Sequence, residues 1–271
     1  MRKTSDLIIL VQGGGEVGSA VAHRLHCNHF RVCISEIARP LAVSRSTCFS
    51  EAVFDGEKTI EKVTAERTSP SLNQIHQVWQ KGNIPVVVDP ELSIKPLIAA
   101  DVIVIATMLK QKTTTQITDA PLVIGIGPGF FAGQDVHVVI ESNNDDNLGK
   151  IIMNGETEKN TGIPLEIGGL KQERVIWAPA SGVFLTERHI GDSINSNEIG
   201  GKLDNIHLKA PISGIIRGLL RSSVEVSRNA KLVEIDPVND TSICFSIRDR
   251  MRTIANGVLE AVLLGLNTVS S

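Results

Sequence analysis

Residues 7–36 set the strongest constraint on the fold. An apolar run, Leu7 to Val11, ends at Gly13-x-Gly15-x-x-Gly18; Val17, Ala20, Val21 and Leu25 then recur at helical spacing, and a second apolar run, 31–35, ends at Glu36. A short apolar run bounded by glycines has the pattern of a buried parallel strand, and recurrence at three and four residues that of an amphipathic helix. Strand, glycine turn, helix, strand and acid is the order in which a βαβ unit builds a phosphate site. Gly13 would serve the tight turn, Gly15 the approach of phosphate, and Gly18 the close packing of helix on strand, while the helix N-terminus offers N–H groups. Gly13, Gly14, Gly15 and Gly18 are thus candidate cofactor-binding residues. Glu36 stands near the acidic position that accepts ribose hydroxyls. Glu16, inside the loop, would repel phosphate if it pointed inward.

Further strands are expected at 85–89 and 101–106, with a helix over 72–81 before the first of them. This alternation implies a Rossmann-like doubly wound parallel sheet, with ligands outside the carboxyl ends of its strands. Lys110 and Lys112, with Thr113 to Thr115, could hold an anion there or form a solvated loop. Residues 122–126 read as another strand, after which Gly127-Pro128-Gly129 forces an irregular backbone and makes Gly127 and Gly129 candidate ligand contacts. Asp135 and His137, two apart on the next expected strand, would share a face. They are candidates for proton transfer or ligand binding, or a hydrogen-bonded pair on a solvated face. The segment 45–57 would lie near the first glycine loop, with Arg45, Ser46, Ser50 and Glu51 able to line it. Cys48 would be either a reactive thiol activated by Arg45 or a half-buried strand cysteine. His23, His26 and His29 read as a helix face rather than a metal site.

The second half contains an internal repeat. "APASGV" from Ala178 returns as "APISGI" from Ala210, 32 residues on, and the same offset relates Ile194 to Val226 and Asn197 to Asn229. Two interlocking strand–turn–strand units of this kind look like a barrel-sandwich hybrid, the fold of biotinyl and lipoyl domains. Lys202 lies on the hairpin that carries the swinging arm in such domains, but its neighbours do not match, and no covalent cofactor is expected. A closing helix carries the stripe Met251, Ile254, Val258 and Val262. The expected domains are therefore a nucleotide-binding domain over 1–170, a β domain over 171–238, and a C-terminal strand and helix over 239–271 that pack back on the first.

Composition removes several function classes. The chain of 271 residues has a formal net charge of −3, which does not suit nucleic acid or an anionic membrane surface. Its apolar runs are too short to span a bilayer. Four scattered cysteines without a C-x-x-C suggest a reducing, cytoplasmic setting. There is no tyrosine, so a dehydrogenase using a Tyr–Lys pair is excluded.

Several segments together carry a resemblance: "VQGGGEVGSAVAHRL", "ISEIARPLAVSRSTCFSEAVFDGE", "APLVIGIGPGF", "NTGIP", "APASGVF" and "ANGVLEAVL", in that order. In these the chain resembles the accessory proteins of the selenium-dependent molybdenum hydroxylase system. Its N-terminal region is similar to that of xanthine dehydrogenase accessory factors. The family loop more commonly reads Gly-Gly-Gly-Asp-Leu-Ala-Thr-Gly, and this chain departs from it at Glu16-Val17-Gly18. The resemblance implies a maturation factor that holds a nucleotide of NAD type or a molybdopterin-type cofactor. Its partners would be a molybdenum hydroxylase apoenzyme or other maturation factors, with self-association a further possibility. Two rivals remain from the residues alone. One is an NAD(P)-dependent oxidoreductase with His137 as proton donor, the other a non-enzymatic protein-binding scaffold.

Overall fold

Apolar strands covered on both faces need two layers of packing, and the chain supplies them from distant segments. A computed structural model describes residues 3–108, 114–143, 146–159, 162, 166–238 and 240–268, with side chains through 265. It divides into two units, one of Met1–Pro40, Cys48–Asn160 and Ile247–Ser271, the other of Leu41–Thr47 and Thr161–Ser246.

The first unit runs β1 (Ile8–Gln12), α1 (Glu16–Cys27), β2 (Arg31–Glu36), α2 (Ala52–Asp55), β3 (Glu57–Ile60), β4 (Val63–Thr68), α3 (Leu72–Gln80), β5 (Ile84–Val88), α4 (Lys95–Ile98), β6 (Val102–Ile105), β7 (Leu122–Ile126), β8 (Val138–Ile140) and β9 (Ile151–Ile152), and ends with α5 (Asp249–Thr268). Its nine strands form one sheet in the order β3-β4-β5-β2-β1-β6-β7-β8-β9. From β4 to β8 every neighbouring pair is parallel. At the two borders β3 and β9 run antiparallel to β4 and β8. Side chains alternate between faces as a strand period of two requires. Ile9, Val11, Ile34, Val104 and Ile124 join α1 and α5 in one core, whereas Leu10, Cys33, Ile103 and Val123 meet Ile75 of α3 and Phe130 in the other.

This corrects the expected doubly wound parallel sheet. The sheet is mixed, and no α-helix is found between β6 and β7 among the described residues, nor between β7 and β8. Gly127-Pro128-Gly129 disfavours a helix after β7, and ahead of Pro121 the described residues form a 3-10 turn at Ile117–Asp119. The face that crossover helices would have covered is covered by α5, whose Ile254, Val258 and Val262 share a core with Ala20, Val21 and Leu25 of α1.

The second unit contains β10 (Val175–Trp177), β11 (Gly182–Leu185), β12 (Ser193–Ile194), β13 (Ile199–Leu203), β14 (Ile206–Lys209), β15 (Gly214–Leu219), β16 (Val224–Val226) and β17 (Lys231–Asp236). They form two four-stranded antiparallel sheets, β10-β17-β15-β12 and β14-β13-β11-β16, around a core that includes Phe184, Ile216, Leu219 and Val233. The repeat shows in the strand starts, Gly182 against Gly214 and Ile199 against Lys231. Asn197 and Asn229, at matching places, both have left-handed backbone, φ 68° and 66°. The expected biotinyl- or lipoyl-type barrel-sandwich hybrid is corrected to this pair of separate sheets. Lys202 does not occupy a hairpin tip: it is paired with His207 inside the β13–β14 ladder, and the turn is Asp204-Asn205.

Among the described residues no helix is long and apolar enough to cross a membrane.

Candidate functional site at the carboxyl edge of the sheet

Because seven strands run parallel, the residues that follow β1, β2, β5, β6, β7 and β8 all lie along one edge. The chain leaves β1 toward β2 on one side and later returns to β6 on the other. The order therefore reverses between β1 and β6, where open sheets leave a crevice.

The glycine loop after β1 turns at Gly13, whose φ of +94° suits a residue without Cβ. A Cβ at Gly18 would stand 1.8 Å from the Gly13 carbonyl oxygen, which is why helix and loop can approach so closely only with glycine there. At Gly15 no atom lies within 4 Å of a Cβ position, so this residue faces open space. Two of the loop's N–H groups are used internally. Gly13 donates to the Ser35 carbonyl at 2.8 Å. Gly14 donates to Glu36 Oε2 at 2.6 Å, and Ile37 donates to Glu36 Oε1 at 2.7 Å. Burial raises the Glu36 carboxyl above its usual range while these two amides pull it down. The expected role of Glu36 as an acceptor of ribose hydroxyls is thus corrected: its carboxylate caps the loop beside it. The segment 48–51 is tied to the same loop, with Ser50 N–H on the Gly14 carbonyl at 2.8 Å and Phe49 N–H on Ser19 Oγ at 2.7 Å.

Buried acids cap two more strand ends in the same way. Asp89 accepts from the Ser93 and Ile94 amides at 3.0 and 2.9 Å. Glu141 accepts from Ser142 and Asn143 at 2.7 Å each and from Glu158 at 2.8 Å. These acids fix the loops that border the crevice.

On the far side of the reversal, Gly127 and Gly129 have φ of +77° and +109°. A Cβ at Gly127 would lie 2.6 Å from Ser142 Oγ, so its absence leaves room for the serine that follows β8. The start of α5 brings two arginines to this edge. Arg248 Nε faces Glu16 Oε1 at 3.1 Å, which settles where the loop acid points: onto an arginine. Arg250 Nη2 donates to the Ser142 carbonyl at 2.5 Å. Burial lowers the Arg250 guanidinium below its ordinary range, opposed by the charge of Glu16. Gln12 Oε1, Ser50 Oγ and Arg250 Nε at this edge are buried without a hydrogen-bond partner among the described residues. Neither arginine belongs to a motif that the sequence displays. The alternation Arg248-x-Arg250-x-Arg252 ahead of an apolar stripe was the signal that could have drawn attention to them.

Other expected residues fall elsewhere. β8 begins at Val138, not at 135, and Asp135 sits in a turn where it accepts from the Phe131 amide at 3.0 Å. His137 Nδ1 accepts from the Val123 amide at 3.0 Å, and burial lowers its pKa. It lines an open cleft of about 820 Å³ with Lys95 and Asp119 at the amino end of the strands, opposite the glycine loops. The pairing of Asp135 with His137 is therefore corrected, because each is spent on a separate backbone amide. Cys48 is fully buried, and burial together with Glu16 and Glu51 pushes its thiol well above the usual range, so it stays protonated. Arg45 belongs to the second unit, where its Nε donates to the Leu219 carbonyl at 2.6 Å. Lys110, Lys112 and Thr113 lie outside the described residues.

No family model matches the chain. It is 38% identical over 261 residues to the uncharacterized protein YqeB of Escherichia coli (strain K12), a match that takes in 95% of this chain and 47% of the relative. The chain thus spans about half the length of the curated relative it matches. Three solved structures show likeness at much lower identity. The product-bound ectoine utilization protein EutE (DoeB) from Ruegeria pomeroyi has 9% identity, 84% coverage of each chain and a TM-score of 0.26. An aspartoacylase family protein from Mesorhizobium loti has 11%, 84% of each and 0.27. A succinylglutamate desuccinylase/aspartoacylase from Rhodobacter sphaeroides has 12%, 86% of each and 0.26. The expected membership in the selenium-dependent molybdenum hydroxylase accessory family is corrected by these findings, since no family model matches the chain and the curated relative is uncharacterized. The maturation role falls with that membership. The rival NAD(P)-dependent oxidoreductase is corrected too: Glu36 is engaged by the Gly14 and Ile37 amides and His137 lines a cleft at the opposite end of the strands.

Proposed function

We propose that the nine-stranded unit binds a small polar molecule in the crevice at its carboxyl edge, between the residues that follow β1 and those that follow β6, β7 and β8. The observation that carries this reading is the set of buried, unpartnered polar atoms on Gln12, Ser50 and Arg250. Native interiors pair nearly all such groups, and each one left unpaired costs about 1–3 kcal/mol. A bound polar molecule at this edge would complete them. Gly15 faces open space at the same edge of the sheet, and the loops along this edge are capped by Glu36 and Glu141. Recognition on this reading is by side chains, because the amides of Gly13 and Gly14 are already engaged.

Native mass spectrometry of the full chain, after incubation with the protein-free small-molecule filtrate of a cell lysate, tests it. A small adduct is expected, with a rise in melting temperature; a ligand at a hundred times its dissociation constant adds about 2.7 kcal/mol. Gly15→Trp should remove the adduct without strain, since Gly15 has φ −69° and free space around its Cβ position. A bare chain throughout, or an adduct undiminished in Gly15→Trp, would contradict the proposal.

A further inference from the structure

We infer that the molecule held in this crevice carries an oxyanion, a carboxylate or a phosphate, and that Arg250 receives it. This rests on the crevice reading above and names the chemistry of its ligand. Arg250 touches Ser142, which follows β8, and it stands two residues from Arg248, which pairs with Glu16 after the glycine loop of β1. Its position is unfavourable three times over. It stands in the first turn of α5, where the helix dipole disfavours a cation. Its guanidinium is half-buried, and burying a charge is costly unless it is paired. Its guanidinium donates to a neutral carbonyl, while Glu16, whose charge favours it, is already held by Arg248 at 3.1 Å. The Nε–H is left buried and without a partner among the described residues. A guanidinium with one Nη on a carbonyl and its Nε–H open can donate a charge-assisted bond to an incoming oxyanion, the interaction for which arginine is best suited. Room for the anion comes from Gly15, where nothing lies within 4 Å of a Cβ position, while the missing Cβ of Gly127 lets Ser142 approach.

The experiment is a titration of the full chain with inorganic phosphate in one arm and succinate in the other, at ionic strength matched with sodium chloride, followed by calorimetry and melting temperature. A saturable response in either arm is expected. The responding arm says whether the group is a phosphate or a carboxylate, and a response in both marks a general oxyanion site. Arg250→Gln should weaken it at least tenfold. Arg250→Lys, which keeps the charge but loses the fork, should fall between, and it serves also if the glutamine variant folds poorly. No saturable response in either arm, or equal affinity in the wild type and both variants, would overturn the inference. If the lysate adduct persists unchanged in Arg250→Gln, the crevice stands and only its anionic character falls.

Discussion

Gly18→Ala is expected to prevent the nine-stranded unit from folding. The added methyl would sit 1.8 Å from the Gly13 carbonyl oxygen and 3.0 Å from its carbon, both backbone atoms that cannot rotate away. Gly13 has no freedom to yield. Its N–H is on Ser35, its φ is +94°, and its own Cβ position is 3.1 Å from Thr107 Cα on the neighbouring strand end. The helix cannot yield either, because Val21 and Leu25 are fully buried in the core that α1 shares with α5. Overpacking among side chains costs about 1–3 kcal/mol. Here the clash is with main chain, and a loss of more than about 4 kcal/mol is expected, a large part of a typical domain's stability. Circular dichroism during urea unfolding measures it, with Gly15→Ala as the control, expected to be nearly neutral because nothing lies within 4 Å of its Cβ position. A Gly18→Ala protein that melts within a few degrees of wild type would mean that the loop is far softer than its hydrogen bonds indicate.

The second large effect lies in the other unit. Arg174 and Glu234 are 1% and 2% exposed, and Arg174 Nη1 reaches Glu234 Oε1 at 2.7 Å while Lys231 Nζ contacts Oε2. Removing one partner of a buried pair leaves the other charge unpaired, so Glu234→Ala should cost about 3–5 kcal/mol. Burial alone would raise the Glu234 pKa, but Lys231 and Arg174 outweigh it and hold the carboxyl at about 2, against an ordinary 4.5. A depressed carboxyl pKa gives stability that is complete above the unfolded value and is lost as pH falls toward the folded one. The pair therefore contributes on the order of 3 kcal/mol at neutral pH, and loses it between about pH 4.5 and 2. Scanning calorimetry across that window should show a steep fall for the wild type and a shallower one for Glu234→Gln. Parallel profiles would show that the network does not set the acid limit of this unit.

What could be read from the sequence was local. The spacing of Val17, Ala20, Val21 and Leu25 marks α1, and the chain leaves that helix through Asn28 and a left-handed His29, φ 66°. The expected strands at 85–89, 101–106 and 122–126 lie within a residue or so of β5, β6 and β7, and the 32-residue spacing reappears in the starts of β11 and β15. The β3–β4 hairpin was not legible, because its turn places Glu61 and Lys62 at φ 44° and 72° without the glycine or asparagine that announces such turns. Strand partners in the second unit are set by pairing between distant residues, so the repeat did not reveal how the strands divide between two sheets. At the site, spacing placed Glu36 at the right strand end but could not distinguish a ribose hydroxyl from the amide of Gly14 as its partner. The periodicity of α5 marked its core face. The role of Arg250 depends on Ser142, 108 residues away, and on Glu16 near the other end of the chain, and no local pattern encodes that. Motifs occurring in a familiar order likewise proved insufficient to assign the family.

The location of the ligand is the central claim, and residue-resolved hydrogen exchange of the full chain, with and without the small-molecule filtrate, tests it most directly. Exchange is predicted to slow at Gly15 and Glu16, across Gly127 and Gly129, at Ser142 and Asn143, and at Arg250. Slowing confined to the opposite edge around Ala100, Asp119 and His137, or to the second unit, or to no residue at all, would contradict it.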